Sequence, residues 1–145
     1  MPPKKLKSPK GQPHTTVLSF SVGQNGNIVN APTFFEVWTG DTVIWFIGNA
    51  SGQPITVTLA EFLLKDTDTD PKGNPSHVVL PFVWLTSNTV DIDDQKIGII
   101  AGLRDPNYPL HGMHDPVSYN IYIASRAKTN PFPPVVWDPD GDIKP

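Results

Sequence analysis

The sequence contains no cysteine. That absence excludes disulfide bridges, thiolate metal ligands, cysteine nucleophiles and blue-copper chemistry. Long apolar runs are also lacking, since no stretch approaches the ~18 residues that a membrane-spanning helix needs, and no membrane span is expected. The N-terminal lysines have no apolar segment behind them, so we expect no secretory signal and predict a cytoplasmic protein.

Charge is scarce as well, at 17% of the 145 residues, and the length fits one domain. Twelve of the fourteen acidic residues are aspartate, which favours turns and loops over helix faces. Seventeen prolines and eleven glycines are spread along the chain, and no segment keeps a helical apolar period for long. The composition therefore predicts many short strands joined by turns.

The clearest strand pattern lies between Phe34 and Leu59, where we predict three consecutive strands. The first turn is Gly40-Asp41, because glycine accepts positive φ and aspartate bonds its own backbone. The third strand alternates Ile55-x-Val57-x-Leu59.

The second of these strands is apolar on both faces, with Val43, Trp45 and Ile47 on one side and Ile44 and Phe46 on the other. Strands of that composition are buried on both sides of a sheet. We therefore expect it to be central or covered on both sides.

This stretch resembles the central part of cupredoxin-like domains, through Gly40-Asp41-Thr42-Val43-x-Trp45, then Asn49, then Thr56-Val57-Thr58. The resemblance implies a Greek-key β-sandwich. It also implies where copper ligands would lie: Ile55 stands at the first histidine position of the family. With Tyr108 aligned to the family's C-terminal ligand loop, Leu110 and Met113 stand at the cysteine and histidine positions. A type-1 copper site is therefore not expected.

We predict an all-β, cupredoxin-like sandwich of about seven to nine strands over residues 16–145, preceded by a basic arm over residues 1–15. Further strands are predicted at Thr16–Val22, near Val90–Ile92, at Ile97–Ala101, at Tyr119–Ile123 and at Val135–Asp138. The apolar segment His77–Leu85 is predicted to lie at an edge, at a bend or partly outside the sheet, because of Pro81. The predicted inward-facing residues are Leu18, Phe20, Trp45, Ile55, Val57, Leu59, Ile99, Tyr119, Ile121 and Ile123.

The arm carries Lys4, Lys5, Lys7 and Lys10 among prolines. It could bind nucleic acid, anionic lipid or an acidic neighbouring subunit, or it could be a solubilising tail. Four lysines without arginine or aromatic neighbours make nucleic acid an unlikely partner.

One loop before the penultimate predicted strand carries metal-ligand chemistry. His111, Met113 and His114 offer two imidazoles and a thioether, which could bind copper or zinc with His77 as a further ligand. The alternative is that the two loop histidines are exposed or hydrogen-bonded to Asp105 and Asp115.

Two aspartate-rich segments suggest a weak calcium-dependent binding module as another alternative. Asp66, Asp68 and Asp70 have the spacing that opens an EF-hand loop, but Pro71 and His77 replace its glycine and glutamate. The second segment runs Asp138-Pro-Asp140-Gly-Asp142 and is predicted to be a turn-rich tail.

No nucleophile elbow, zinc-protease motif or phosphate loop is present, so we do not expect an enzyme, and no cofactor is predicted. The chain is also similar to bacterial β-rich inclusion-body proteins, which are not catalytic. The similarity lies in three segments: the Gly-Asp-x-Val-x-Trp strand, the Val117-Ser118-Tyr119-x-Ile121-Tyr122 strand and the late Trp137-Asp138-Pro139. The predicted function is that of a structural or protein-interaction module. Such a module could self-assemble into homo-oligomers or assemble with other protein subunits.

Overall fold

The computed structural model describes residues 13–30, 34–65 and 78–145. They form an all-β sandwich of eleven strands, more than the seven to nine expected. No helix in these ranges is long and apolar enough to cross a membrane. The strands are β1 Thr15–Val22, β2 Ile28–Val29, β3 Phe35–Val37, β4 Thr42–Asn49, β5 Ile55–Leu64, β6 Phe82–Trp84, β7 Thr89–Ile92, β8 Ile97–Arg104, β9 Asp115–Ser125, β10 Val135–Trp137 and β11 Asp140–Ile143.

The strands divide into two sheets. Sheet A has the order β2-β1-β4-β8-β6, and sheet B has the order β3-β11-β9-β5-β7, with β10 paired to β9. The three consecutive strands predicted between Phe34 and Leu59 therefore alternate between the sheets instead of pairing with one another. Two of the strand pairs, β1 with β4 and β3 with β11, are parallel.

The core lies between the inner faces of the two sheets and is rich in aromatic rings. Phe35 is fully buried, and its ring centroid lies 5.3 Å from that of Phe82 and 5.4 Å from that of Tyr119. Across the sheets, the indole N–H of Trp45 donates to the Tyr119 hydroxyl at 3.0 Å. This bond satisfies a donor that burial would otherwise leave without a partner.

Nine of the ten predicted inward residues are buried, and Ile55 is a fully buried core residue. The prediction for Ile99 is wrong: its side chain is 44% exposed, while Ile100 is fully buried. Successive strand residues face opposite sides, so a one-residue error in register moves a side chain from the core to the surface.

The prediction of a turn-rich tail over Asp138–Asp142 is also wrong, because residues 140–143 form β11, an interior strand of sheet B. Gly141 makes this possible, since a Cβ built at Gly141 would lie 2.3 Å from the Phe35 ring. The Asp140 carboxylate pairs with Lys65 at 3.1 Å, and Asp142 pairs with Lys144 at 3.2 Å. The aspartates of β11 thus carry ion pairs.

The lysine arm (Lys4, Lys5, Lys7, Lys10), the Asp66-Asp68-Asp70 segment and His77 lie outside the described residues. Their predicted roles stay predictions. Of the described residues in the segment His77–Leu85, only Phe82–Trp84 form a strand, β6, which lies at the edge of sheet A, and Val79, Leu80, Pro81 and Leu85 lie outside the strand. A strand over Val135–Trp137 is also confirmed, although β11 follows it.

Candidate interaction face

The outer side of sheet A is the main candidate site, and we call it the apolar face. Its strands turn their core residues toward sheet B, so the alternate residues point away from the protein. The outward positions on the described strands are Thr15, Val17, Ser19, Ser21, Val29, Thr42, Ile44, Phe46, Gly48, Val83, Ile97, Ile99, Ala101 and Leu103. None of these fourteen residues is charged.

Strand pairing aligns these residues into rows across the sheet. The register places Ser19 beside Phe46 and Phe46 beside Ile99, and the next row toward the strand end is Ser21, Gly48 and Ile97. Several large side chains are open to solvent, with Ile97 at 60% and Phe46 at 37% exposure. An uncharged face with this many exposed large residues is the kind of surface that marks an interaction site.

A shallow depression of about 240 Å³ lies within the apolar face. It is lined by Ser19, Ser21, Phe46, Gly48 and Ile97, together with Phe20 and Asn30. Small side chains produce it: Gly48 has none, and its row neighbour Ser21 is short. A Cβ at Gly48 would lie 3.4 Å from the Ser21 hydroxyl oxygen, so even one methyl group would begin to fill the depression.

The outer side of sheet B differs in chemistry, and we call it the polar face. Thr56 donates to Asp91 at 2.6 Å, and the Tyr122 hydroxyl donates to Glu61 at 2.6 Å. The exposed Val136 also lies on this side, because β10 pairs it with Tyr122. Polar groups that bond to one another and to water suit a solvent-facing surface, so the two faces of the sandwich differ in polarity.

The loop that the sequence assigned to metal binding is organised by a buried carboxylate. Asp115 accepts from the Tyr108 hydroxyl at 2.8 Å and from the backbone N–H groups of His111 and Gly112 at 3.0 to 3.1 Å. Its Oδ2 also lies 2.9 Å from the His111 Nδ1. One side chain thereby fixes the loop to the start of β9.

Electrostatics around Asp115 agree with this structural role. Burial alone would raise the pKa of Asp115, but hydrogen bonds from His111 and Tyr108 oppose burial and hold the pKa below its ordinary value. Burial, reinforced by the bond to Asp115, raises the pKa of Tyr108. The buried Arg104 donates to the backbone carbonyls of Asp105 and Lys144. Burial lowers the Arg104 pKa, although the nearby Tyr108 and acidic groups oppose the shift.

The predicted metal ligands do not converge through their Nδ1 atoms. The Nδ1 of His111 lies against Asp115, whereas the Nδ1 of His114 lies 2.7 Å from Asp142 on β11. Met113 is 88% exposed. Within the described ranges, no group of three or more His, Asp or Glu residues is arranged to hold a metal ion. The alternative, in which His111 bonds to Asp115, is present; the pairing of His114 with Asp142 was not predicted.

The apolar face is not predicted as a site from the sequence, although the apolar residues on both sides of β4 are the signal that could have found it. β4 is expected from its composition to be central or covered on both sides, and it is central in sheet A. Among the described residues, sheet B covers one of its sides, and Phe46 on the other side is exposed. The second apolar side of β4, extended by Ile97 and Ile99 of β8, is the centre of the exposed face.

Comparisons with known proteins identify the fold alone. No protein-family model matches the chain, and no curated protein matches it. Among solved structures, it is similar to the CupB2 chaperone of Pseudomonas aeruginosa, with a TM-score of 0.54, 13% identity, and coverage of 78% of this chain and 53% of that one.

Two further structures give the same result. The chaperone DraB of E. coli matches with a TM-score of 0.53 and 17% identity, over 89% of this chain and 56% of that one. A chain of the CsuC–CsuE chaperone–tip adhesion subunit pre-assembly complex of Acinetobacter baumannii matches with a TM-score of 0.53 and 12% identity, over 78% and 54%. The chain spans about half the length of these structures. The all-β sandwich is thus supported, while the cupredoxin topology stays a prediction.

Proposed function

We propose that this chain is a non-catalytic protein-interaction module that assembles with protein subunits, copies of itself included, through the apolar face. The observation that carries the proposal is the absence of charge from fourteen outward positions of one sheet, several of them large and exposed. In the folded chain these residues contact water, and their burial by a partner would be favourable at about 25 cal/mol per Å².

The double-sided composition of β4 supports this function. Strands that are apolar on both sides are normally covered on both sides. Here sheet B covers one side of β4, and a protein partner is the natural cover for the other. The similar solved structures include two chaperones and a chain of a chaperone–tip adhesion subunit complex, which agrees with a protein-binding use of the sandwich. Fold likeness alone does not assign function.

The test uses two valines that are matched in type and exposure. Val17 on the apolar face is 56% exposed, and Val136 on the polar face is 54% exposed. A photo-crosslinking amino acid is placed at one or the other position of the full chain in living cells, and adducts are identified by mass spectrometry. We expect discrete protein adducts from position 17 and none from position 136.

Adducts from neither position, or equally from both, would contradict the assignment of the interaction to the apolar face. The predicted cytoplasmic location is checked in the same cells by fractionation before irradiation.

A further inference from the structure

We propose that the occupant of the apolar face is a second copy of this chain, stacked face to face about a twofold axis near Phe46 and Ile99. This inference rests on the proposed function and specifies its partner. In such an arrangement two sheets of type A pack against each other, as sheets A and B already do within one chain. Stacked sheets lie about 10 Å apart with interleaved side chains.

Charge is the first argument for a like partner. A twofold interface sets the same surface patch against itself, so any charge near the axis would meet its own copy. The described strand positions of the apolar face carry no charge, so self-stacking brings no like charges together. The polar face, with Asp91 and Glu61 at its surface, would not meet this condition.

Shape is the second argument. The same face carries both a depression, formed at Ser21 and Gly48, and protruding side chains, chiefly Ile97 and Val17. A surface with its own recess and its own protrusions can fit a rotated copy of itself. Ile97 borders the depression, so the Ile97 side chain of a second copy is a suitable occupant of it.

Area is the third argument. Four strands spaced about 4.8 Å apart, with about seven residues rising 3.3 Å each, give a footprint of roughly 20 by 23 Å, or about 450 Å² per copy. The relief of the side chains makes the accessible area larger than this flat footprint. Specific interfaces bury about 800 Å² per partner, with weak ones below that value. We therefore expect a reversible dimer.

The test introduces charge of either sign at the centre of the face. Ile99→Lys and Ile99→Glu are each measured by sedimentation velocity between about 1 µM and about 1 mM, where a weak interface associates. Each variant alone should dimerise at least tenfold more weakly than the natural chain, because like charges meet near the axis. An equimolar mixture should recover the dimer, because opposite charges then meet.

Matched controls exclude an effect of overall charge. Ile99→Lys changes the net charge from -3 to -3 + 1 = -2, which would reduce long-range repulsion between copies, so its dissociation must arise locally. Val136→Lys and Val136→Glu make the same charge changes on the polar face and should leave the dimer unchanged. Near-UV circular dichroism verifies that each variant is folded.

A cysteine cross-link gives a second, independent readout. The chain has no cysteine, so Ile99→Cys introduces a single thiol. Stacked sheets lie about 10 Å apart, beyond the reach of a direct disulfide, so a short bifunctional maleimide that spans about 10 Å should link two copies. Val136→Cys, treated identically, should remain monomeric.

The outcomes separate this inference from the function beneath it. A natural chain that stays monomeric at every concentration, while position 17 still forms adducts with another protein in cells, overturns self-stacking and leaves the interaction module standing. A dimer insensitive to both Ile99 charges, or one that the mixture does not restore, shows that the copies meet elsewhere and overturns the face-to-face arrangement.

Discussion

Asp115 provides the sharpest test of how the loop before β9 is held, and we predict that Asp115→Ala destabilises the protein by about 3 kcal/mol. The alanine leaves the buried Tyr108 hydroxyl without its acceptor at 2.8 Å and removes the acceptor of the His111 and Gly112 amides. An unsatisfied buried donor costs about 1 to 3 kcal/mol. The two amides are less buried and recover part of their loss from water.

Asp115→Asn should be milder, at about 1 kcal/mol, because the geometry lets an amide replace the carboxylate. The amide oxygen can take the position of Oδ1 and accept from the His111 and Gly112 N–H groups. The amide nitrogen then faces the Tyr108 oxygen and the His111 Nδ1, both of which can accept. What remains lost is the acceptor for the Tyr108 hydroxyl proton, because that hydroxyl now accepts instead of donating, together with the extra strength of bonds to a charged acceptor.

Urea and thermal unfolding measure both variants, with Asp105→Ala as the matched control. Asp105 lies in the same loop, but its carboxylate accepts an exposed bond from Asn107, so its loss should be about 0.5 kcal/mol. For a chain of this size, the Asp115→Ala loss corresponds to a drop in Tm of roughly 6 to 12 °C. A loss below about 1 kcal/mol for Asp115→Ala, or equal losses for alanine and asparagine, would refute the assigned hydrogen bonds.

The pH dependence gives the same reasoning a second measurement. The folded pKa of Asp115 lies below its unfolded value, which is about 3.9, so the folded state binds its proton more weakly. Its contribution to stability is therefore fully present above about pH 4 and is lost as the pH falls through the folded pKa. The difference in unfolding free energy between the natural chain and Asp115→Asn should shrink as the pH falls below about 4. A difference that grows as the pH falls below about 4 would contradict the sign of the shift.

Two other predictions concern packing and metal. Gly141→Ala should destabilise the fold by about 3 kcal/mol, because its Cβ would lie 2.3 Å from the fully buried Phe35 ring. The control Gly112→Ala, whose Cβ would have its nearest neighbouring atom at 3.6 Å, should change stability by less than about 1 kcal/mol. Equal effects of the two variants in urea unfolding would contradict the packing argument. Calorimetric titration with Cu(II) or Zn(II) should give no stoichiometric heat, because the Nδ1 atoms of His111 and His114 face different carboxylates. A stoichiometric binding event that the double variant His111→Ala, His114→Ala abolishes would establish the metal site instead.

Much of the fold could be predicted because local alternation reports which side of a strand is buried. Ile55-x-Val57-x-Leu59 and Tyr119-x-Ile121-x-Ile123 each mark an inner face, and all six residues are fully buried. Pairing between distant strands has no such local signal. The parallel pairing of β1 with β4, and of β3 with β11, depends on which strands fit together in the assembled sheets.

Segments without a clean alternation were the ones mispredicted. Asp138-Pro-Asp140-Gly-Asp142 has turn composition, yet β11 forms there because β3 and β9 supply partners on both sides and Gly141 leaves room for Phe35. At Ile97-Gly-Ile99-Ile100, either phase of the alternation places isoleucine inward. Ile92 decides between them, because it packs where a side chain at Gly98 would lie and thereby fixes Gly98 inward.

The error at Ile99 and the double-sided composition of β4 have one physical origin. Assigning apolar residues to the core assumes that the chain covers its own apolar surface, and the described residues cover sheet A on one side only. Ile44, Phe46 and Ile99 are therefore residue types typical of a core, although they lie at the surface of the single chain. If a second copy supplies the missing cover, Ile99 is an interior residue of the dimer, and the sequence pattern describes the assembled state. If the chain proves monomeric with an unoccupied face, that explanation of the pattern fails along with the face-to-face dimer.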